Sequence, residues 1–166
     1  MGLLIRNGEI VNASERFAAD VRVDGGTITD IGSRLEPRSG DDVLDVAGKL
    51  VMPGFIDPHV HMELPFMGTV SADDFETGTA SGVAGGTTCI IDFCIPAPGE
   101  SMLAALETWK QRAAKAVTDY SFHMAITSWG PDSAAEMRAV VERHGITSFK
   151  VFMEYKGAIM VDDGAL

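Results

Sequence analysis

The sequence predicts an α/β fold in which a small β-rich segment precedes parallel strands that alternate with helices. Before residue 70 no helical period appears, and short apolar runs are separated by turns that contain glycine and proline. From residue 55 onward the pattern changes to strand, helix, strand, helix. Regular alternation of this kind is typical of a parallel sheet with right-handed crossovers. Pro53-Gly54 separates the two patterns, so we predict domains over residues 1–52 and 53–166.

The first domain is predicted to be a small antiparallel sheet. Its strands are expected at residues 3–5, 20–23, 27–31 and 43–46. Asn7-Gly8, Gly25-Gly26 and residues 37–42 are expected to separate them, because glycine tolerates the positive φ that tight turns require.

The second domain is predicted to contain four strands and the helices between them. The strands are expected at residues 55–61, 87–93, 120–126 and 146–152, with a helix at residues 101–117 between the second and third. Ser71 and Asp74 have the spacing of a capping box and predict a first helix that ends at Gly85-Gly86. Ser133 and Glu136 have the same spacing and predict a last helix that ends at His144-Gly145.

The composition narrows the class of partner and the compartment. The net charge of −11 argues against binding to nucleic acid or to anionic membranes. No apolar run approaches the roughly 20 residues of a membrane span, and the N-terminus lacks the pattern of a signal peptide. Cys89 and Cys94 would lie about 16 Å apart in an extended strand, too far for a disulfide. They are interpreted as reduced thiols of a cytoplasmic protein.

Two histidines alternate at the end of the first strand of the second domain. His59 and His61 are separated by one residue, and side chains at i and i+2 of a strand point to the same face. Two neutral imidazoles about 6–7 Å apart can close on one metal ion. The alternative is a strand with two unrelated histidines, although two of only four histidines in the chain lie here.

Lys150 lies inside a predicted strand, between Phe149 and Val151. Burying a lysine is costly unless its charge is paired or removed. One interpretation is a side chain that extends its amine to solvent at the strand end. The other is a lysine of depressed basicity whose amine reacts with CO2 to form a carbamate that can bridge two metal ions.

These motifs together resemble the cyclic amidohydrolases, and within them the dihydropyrimidinase or D-hydantoinase family. The resemblance covers residues 53–163 and rests on residues 53–61, 65–66, 69–79, 85–88, 91–93 and 150–153. It implies a (β/α)8 barrel of the TIM type, and the N-terminal strands match the β-sandwich domain of that family. The predicted fold is therefore a β-sandwich portion followed by the first half, about four β/α units, of a metal-dependent hydrolase barrel.

The resemblance also implies the chemistry. His59, His61 and carbamylated Lys150 would be ligands of two divalent metal ions, with zinc expected, and Tyr155 would donate its hydroxyl to the substrate carbonyl. The substrate would be a small cyclic diamide, a dihydropyrimidine or a 5-substituted hydantoin, opened to an N-carbamoyl amino acid as in pyrimidine degradation. By family analogy, the enzyme would be a homo-oligomer, commonly a tetramer.

Several other residues keep two interpretations. Leu64, Phe66 and Phe152 are expected either to line the apolar side of the pocket or to belong to the core. Asp57 is either a partner that orients a histidine or a turn former before Pro58. His123 is interpreted as a hydrogen-bonded core residue and His144 as a helix-end residue.

The chain departs from the family in length. A (β/α)8 barrel needs roughly 250 residues, and residues 53–166 supply only four strands. In the family, two further histidines and an aspartate base come from later strands, so we expect the 166 residues alone to be inactive. The alternatives are a non-catalytic fragment or assembly module of this fold, and a related enzyme such as an allantoinase or a dihydroorotase.

Overall fold

The structure is a computed structural model that describes residues 2–66 and 68–164. The chain divides into two compact units, Met1–Pro53 and Gly54–Leu166. Each unit contains its own cluster of buried apolar side chains.

The first unit is a five-stranded mixed sheet. Its strands are β1 (Leu3–Val11), β2 (Arg16–Asp24), β3 (Thr27–Gly32), β4 (Asp42–Asp45) and β5 (Leu50–Val51). β1, β2 and β3 pair antiparallel, whereas β4 and β5 both pair in parallel with β1. The prediction of an antiparallel sheet is therefore wrong for the last two strands, because the connection after β3 returns the chain to the other side of β1. The β-sandwich stays a prediction.

Asn7 and Gly8 lie inside β1 and do not form the expected turn between strands. The pairing of β1 with β2 shifts register between Ile5 and Gly8, and Asn7 has a φ of 61°. The N–H of Asn7 donates to the buried Asp20 carboxylate at 2.8 Å. This pair is therefore a β-bulge, in which a side chain satisfies the backbone group that leaves the ladder.

The second unit is built from parallel strands joined by helices. Its elements are β6 (Phe55–Val60), β7 (Pro65–Phe66), β8 (Thr69–Val70), α1 (Phe75–Ala84), β9 (Thr87–Cys94), α2 (Met102–Ala113), β10 (Asp119–Ile126), α3 (Ser133–His144) and β11 (Phe149–Val151). β6, β9, β10 and β11 form a parallel sheet and pair in their order along the chain. β7 and β8 form a short hairpin before α1. The predicted α/β class with a parallel sheet is confirmed.

The first predicted capping box is wrong. α1 begins at Phe75, and its N-cap is Asp74 rather than Ser71. The Asp74 carboxylate accepts from the N–H of Thr77 at 2.7 Å, and the Thr77 hydroxyl oxygen accepts from the N–H of Asp74 at 3.1 Å. Ser71 instead accepts a hydrogen bond from the N–H of Leu64 at 3.2 Å, which fixes the loop before the helix.

The second predicted capping box is also wrong. The N-cap of α3 is Asp132, with no side-chain capping bond. Glu136 reaches instead to the start of α2, where it accepts from the Ser101 hydroxyl at 2.5 Å and from the N–H of Met102 at 2.8 Å. A glutamate with the spacing of a local cap thus accepts a hydrogen bond from a backbone N–H in the first turn of a neighbouring helix.

The core of the second unit lies between the parallel sheet and the helices. Phe75, Leu106, Met124 and Val140 are completely buried there. Burial of each such side chain stabilises the folded state by about 1.5–3 kcal/mol. Cys89 and Cys94 are free thiols. In the described part of the chain, no helix is long and apolar enough to cross a membrane.

Candidate metal centre and substrate pocket

One pocket of about 1110 Å³ lies where β6 and β11 end. Its lining includes all the residues that the sequence predicted for the site: His59, His61, Leu64, Phe66, Lys150, Phe152 and Tyr155. A second depression of about 530 Å³, on the surface of α2 and the turn after it, contains none of them. The parallel sheet thus brings together residues that are far apart in the sequence, and their chemical roles stay a prediction.

The two imidazoles lie side by side at the end of β6. His59 is the penultimate residue of the strand and His61 follows its last residue. Their ring centroids are 5.3 Å apart, and the ring planes are inclined by 81°. The two rings therefore lie close enough together for one metal ion to contact both.

The ring of Phe93 in β9 contacts three of the predicted site residues, and we call this ring the floor of the site. Its ring centroid lies 4.6 Å from that of His59 and 5.0 Å from that of His61. The Lys150 amine lies 4.0 Å from the same centroid and 4.7 Å from that of Phe152. Sequence reasoning missed Phe93, because the uninterrupted apolar run of β9 does not reveal which face a residue occupies.

His61 is held in a form that can act as a ligand. Burial lowers its pKa, and the positive charges of Lys150 and His59 lower it further. A lower pKa favours the neutral imidazole, the form that binds metal ions. Its Nδ1 is buried without a hydrogen-bond partner among the described residues. A buried nitrogen of this kind is costly unless it binds something.

The donor set fits a metal ion once the lysine carries an anionic oxygen. Among residues 2–66 and 68–164, no group of three or more His, Cys, Asp and Glu side chains is placed to hold a metal ion. His59 and His61 supply two nitrogens, and a protonated amine cannot ligate. A carbamate on Lys150 would supply carboxylate-like oxygens next to them. Oxygen and imidazole ligands together suit zinc.

Tyr155 lies in the loop after β11 in a strained backbone conformation. Its φ is 64°, in the left-handed region that non-glycine residues rarely occupy. Its ring packs edge-on against Phe66 with centroids 5.5 Å apart, and its centroid is 6.0 Å from that of Phe152. Strain of this kind costs of order 1 kcal/mol and is common at functional sites. The conformation places an aromatic hydroxyl side chain against the pocket wall.

The apolar residues of the site divide between wall and core. Leu64 lines the pocket and also packs against the hydrophobic core, so both of its interpretations apply. Phe66 is 41% exposed and Phe152 is half-buried, and both line the pocket. Together they give the pocket an apolar surface, and the Phe152 ring lies directly beside the Lys150 amine.

Hydrogen bonds describe the surroundings of Asp57 and of the two other histidines. The Asp57 carboxylate accepts from the backbone N–H of His59 at 3.1 Å, and Asp57 lies inside β6. His123 is hydrogen-bonded through both ring nitrogens, to the Pro58 carbonyl and the Ser148 hydroxyl. His144 lies at the end of α3, with its Nδ1 2.8 Å from the Lys110 amine.

Asp92 is a further residue that the sequence did not indicate. It is 1% exposed in β9, and its carboxylate accepts from the N–H of Met62 at 3.0 Å and from the N–H of Phe93 at 2.5 Å. Burial raises its pKa to about 6, against the opposing effect of these N–H groups and of Arg112. The carboxylate thus holds the backbone immediately after His61.

The fold and the site together define a class. The class is that of parallel α/β proteins whose candidate site, here paired imidazoles and a lysine, lies at the carboxyl ends of the strands. No family model matches the chain. Comparison with individual proteins is more specific.

Relatives with similar sequences are dihydropyrimidinases and hydantoinases. A dihydropyrimidinase of Dictyostelium discoideum is 50% identical over 162 residues, which cover 97% of this chain and 32% of that protein. A D-hydantoinase of Geobacillus stearothermophilus is 49% identical over 167 residues, covering 100% of this chain and 35% of that protein. The chain therefore spans about a third of the length of these relatives.

Solved structures agree with the sequence comparison. The crystal structure of dihydropyrimidinase from Brevibacillus agri superimposes with a TM-score of 0.96 at 45% identity, over 99% of this chain and 36% of that one. A dihydroorotase superimposes with a TM-score of 0.60 at 17% identity, a likeness of fold alone. The predicted resemblance to the dihydropyrimidinase and D-hydantoinase enzymes is confirmed, as is a parallel sheet that matches part of their structure.

Proposed function

We propose that the protein containing this chain hydrolyses the ring amide of cyclic diamides, dihydropyrimidines or 5-substituted hydantoins, to N-carbamoyl amino acids. The observation that carries the proposal is the convergence of His59, His61, Lys150 and Tyr155 on one pocket. The similarity to proteins named dihydropyrimidinase and D-hydantoinase supports the same reaction. The domain assignment, the homo-oligomeric state and the cytoplasmic location remain predictions.

In this proposal, His59 and His61 would hold a divalent ion, with zinc as the expected metal, and a carbamate on Lys150 would supply oxygen ligands for two such ions. The carbamate forms when the neutral amine attacks the carbon of CO2, making an N–C bond and releasing one proton to solvent. When bound, the metal ions supply Lewis acidity and lower the pKa of water toward neutrality. The buried Nδ1 of His61, which has no hydrogen-bond partner among residues 2–66 and 68–164, supports a ligand at this position.

The other pocket residues bind and orient the substrate. Tyr155 donates its hydroxyl to the carbonyl oxygen under attack and stabilises the negative charge that develops there. Leu64, Phe66 and Phe152 contact the apolar substituent of the ring and exclude water from that side. The base that transfers a proton to the leaving nitrogen is not assigned to a residue of this chain.

The test is ring opening by the full-length protein, purified with zinc and bicarbonate. Dihydrouracil and hydantoin should be opened to their N-carbamoyl products, and Lys150→Ala should abolish the reaction. Allantoin and dihydroorotate serve as comparison substrates. Preference for either of these would assign the protein to a related cyclic amidohydrolase. Absence of turnover on all four would favour a non-catalytic module of the same fold.

A further inference from the structure

The hydrogen-bond ladder between β6 and β9 is interrupted where β6 reaches its two histidines. Asp57 pairs with Ile90, the next paired residue is Val60, and the register shifts between them. Pro58 lies in this gap and has no N–H to donate. The backbone that carries His59 therefore depends on partners outside the ladder for its position.

His123 provides such a partner from β10. Its Nε2 lies 2.9 Å from the Pro58 carbonyl oxygen, and its Nδ1 lies 2.5 Å from the Ser148 hydroxyl oxygen. A carbonyl oxygen only accepts, so Nε2 carries the proton and donates to it. In the neutral ring, Nδ1 then accepts from the Ser148 hydroxyl. Both nitrogens are used, so His123 is not available as a metal ligand.

The two partners of His123 lie next to the predicted ligands. Pro58 directly precedes His59, and Ser148 lies two residues before Lys150. Ser148 is itself fixed to β10, because its carbonyl accepts from the N–H of Met124 at 3.0 Å. The ring of His123 therefore spans from the strand that ends in the histidine pair to the strand that carries the lysine.

The same ring packs against the floor of the site. The centroids of His123 and Phe93 are 4.8 Å apart, with the planes inclined by 35°. Phe93 in turn contacts both imidazoles and the Lys150 amine. Loss of the His123 ring would therefore disturb the floor as well as the two hydrogen bonds.

We propose that His123 is a positioning residue of the metal centre, whose bridge between Pro58 and Ser148 sets the spacing of the His59–His61 pair from Lys150. The inference rests on the metal site proposed above. Removal of the bridge leaves every ligand in the chain and the sheet pairing intact, but it releases the Pro58 carbonyl and the Ser148 hydroxyl that lie next to the ligands. Metal affinity should then fall although the fold persists, since partners that orient ligands contribute about 10–100-fold to metal binding.

The experiment uses the full-length protein and a matched pair of histidines. His123→Leu removes both hydrogen bonds at similar bulk, and His123→Gln retains an N–H donor that can reach the Pro58 carbonyl. His144→Leu and His144→Gln are the controls, because His144 lies at the end of α3. The zinc dissociation constant is measured by chelator competition, and the visible spectrum of the Co²⁺-substituted protein reports ligand geometry.

His123→Leu should weaken zinc binding about tenfold or more and alter the Co²⁺ spectrum. The kcat value should fall more than KM rises. His123→Gln should recover most of the affinity, and both His144 variants should match the wild type. Should His123→Leu fail to fold, Ser148→Ala tests the bridge from its other end, with weakened zinc binding expected.

Two results separate the inference from the proposed function. Wild-type affinity and spectrum in both His123→Leu and Ser148→Ala, with zinc bound to the wild type, would overturn the positioning role alone. Absence of zinc binding by the wild-type protein would overturn the metal site, and this inference with it.

Discussion

The chemical form of the Lys150 side chain is expected to depend on whether metal ions are bound in the site. Its amine makes cation–π contacts with two aromatic rings, at 4.0 Å and 4.7 Å from their centroids. Carbamylation replaces this cation by an anion, which only metal ions beside it would stabilise. We therefore predict that the amine is free in the metal-free protein and becomes carbamylated when zinc and bicarbonate are both present.

Carbon-13 NMR with labelled bicarbonate checks this prediction. A carbamate resonance should appear on addition of zinc and disappear with a chelator. It should be absent from Lys150→Ala, whose activity short carboxylic acids should partly restore. A full complement of zinc without any carbamate resonance would contradict the bridging role.

The histidine pair carries the second prediction at this scale. His59→Ala and His61→Ala should each lose bound metal and activity together, because we propose that the two imidazoles share one ion. Metal analysis of the purified full-length variants, beside His144→Ala, measures this directly. Full metal content in both variants would show that the rings, although 5.3 Å apart, do not share an ion.

Asp92 leads to a prediction about pH and stability. Its folded-state pKa of about 6 lies above its ordinary value of 3.8, because the carboxyl is buried. The folded state therefore binds this proton more tightly than the unfolded state does. The resulting stability is complete below pH 4 and is lost as the pH rises through 6, in total roughly 2–3 kcal/mol.

The variant Asp92→Asn lacks this ionisation. The difference in free energy of unfolding, variant minus wild type, should therefore rise by roughly 2–3 kcal/mol between pH 4 and pH 7. The altered hydrogen bonds of the variant add a cost that does not change with pH, so they do not affect this rise. Urea denaturation of the metal-free protein across this range measures the difference, with the exposed Asp119→Asn as control. A difference that does not vary with pH would contradict the proposed cost of ionisation.

The placement of a single residue was predictable from the sequence where local geometry decides which way its side chain points. His59 and His61 share a face because of the two-residue period of a strand. Phe93 and Asp92 acquire their roles from neighbouring strands, since β9 lies beside β6 and Asp92 reaches the backbone of Met62. A partner of that kind depends on strand register, which the local sequence does not specify.

At the scale of elements, glycine predicted where helices end better than the spacing of a capping box predicted where they begin. Gly85 and Gly145 follow the last residues of α1 and α3, as the sequence predicted, and Gly145 has the left-handed φ of 68°. Both capping boxes were wrong because a carboxylate can satisfy any orphan N–H within reach. α2 ends at Ala113 rather than residue 117, and the N–H of Val117 donates instead to the Thr79 hydroxyl at 3.0 Å.

Glu136 provides the prediction at this scale. Glu136→Ala should destabilise the protein by about 1–2 kcal/mol, because the start of α2 would lose two bonds to a carboxylate. Glu142→Ala in the same helix is the control, since its carboxylate meets Arg138 only at 3.8 Å on the surface. Chemical denaturation measures both. Equal destabilisation by the two variants would show that Glu136 does not act as a cap for α2.

At the scale of the whole molecule, the parallel direction of the strands in the second unit followed from β–α alternation. The composition of the first unit could not reveal that β4 and β5 run parallel to β1, because strand direction depends on where the connection after β3 crosses. Within the described residues, β6 and β11 each pair with only one strand of the sheet. Ile56 on β6 is 62% exposed, and Met153 after β11 is 79% exposed.

The last prediction is that residues 1–166 alone do not hydrolyse cyclic diamides. A two-metal site needs ligands for both ions, a base and an open position for water. The chain brings His59, His61 and Lys150 to the pocket, whereas His123 uses both of its nitrogens in the bridge and His144 lies at the far end of a helix. In the described residues, no third His, Cys, Asp or Glu completes a metal-binding group with the histidine pair.

The purified 166-residue chain, supplied with zinc and bicarbonate, should therefore show no hydantoin or dihydrouracil hydrolysis above the rate of the His59→Ala variant. The full-length protein serves as the positive control under the same conditions. Zinc titration should show at most one weakly bound ion per chain, because only the ligands of one site are nearly complete. Turnover comparable to that of the full-length protein would show that the ligand set in this chain is sufficient, and that the second ion is not required for ring opening.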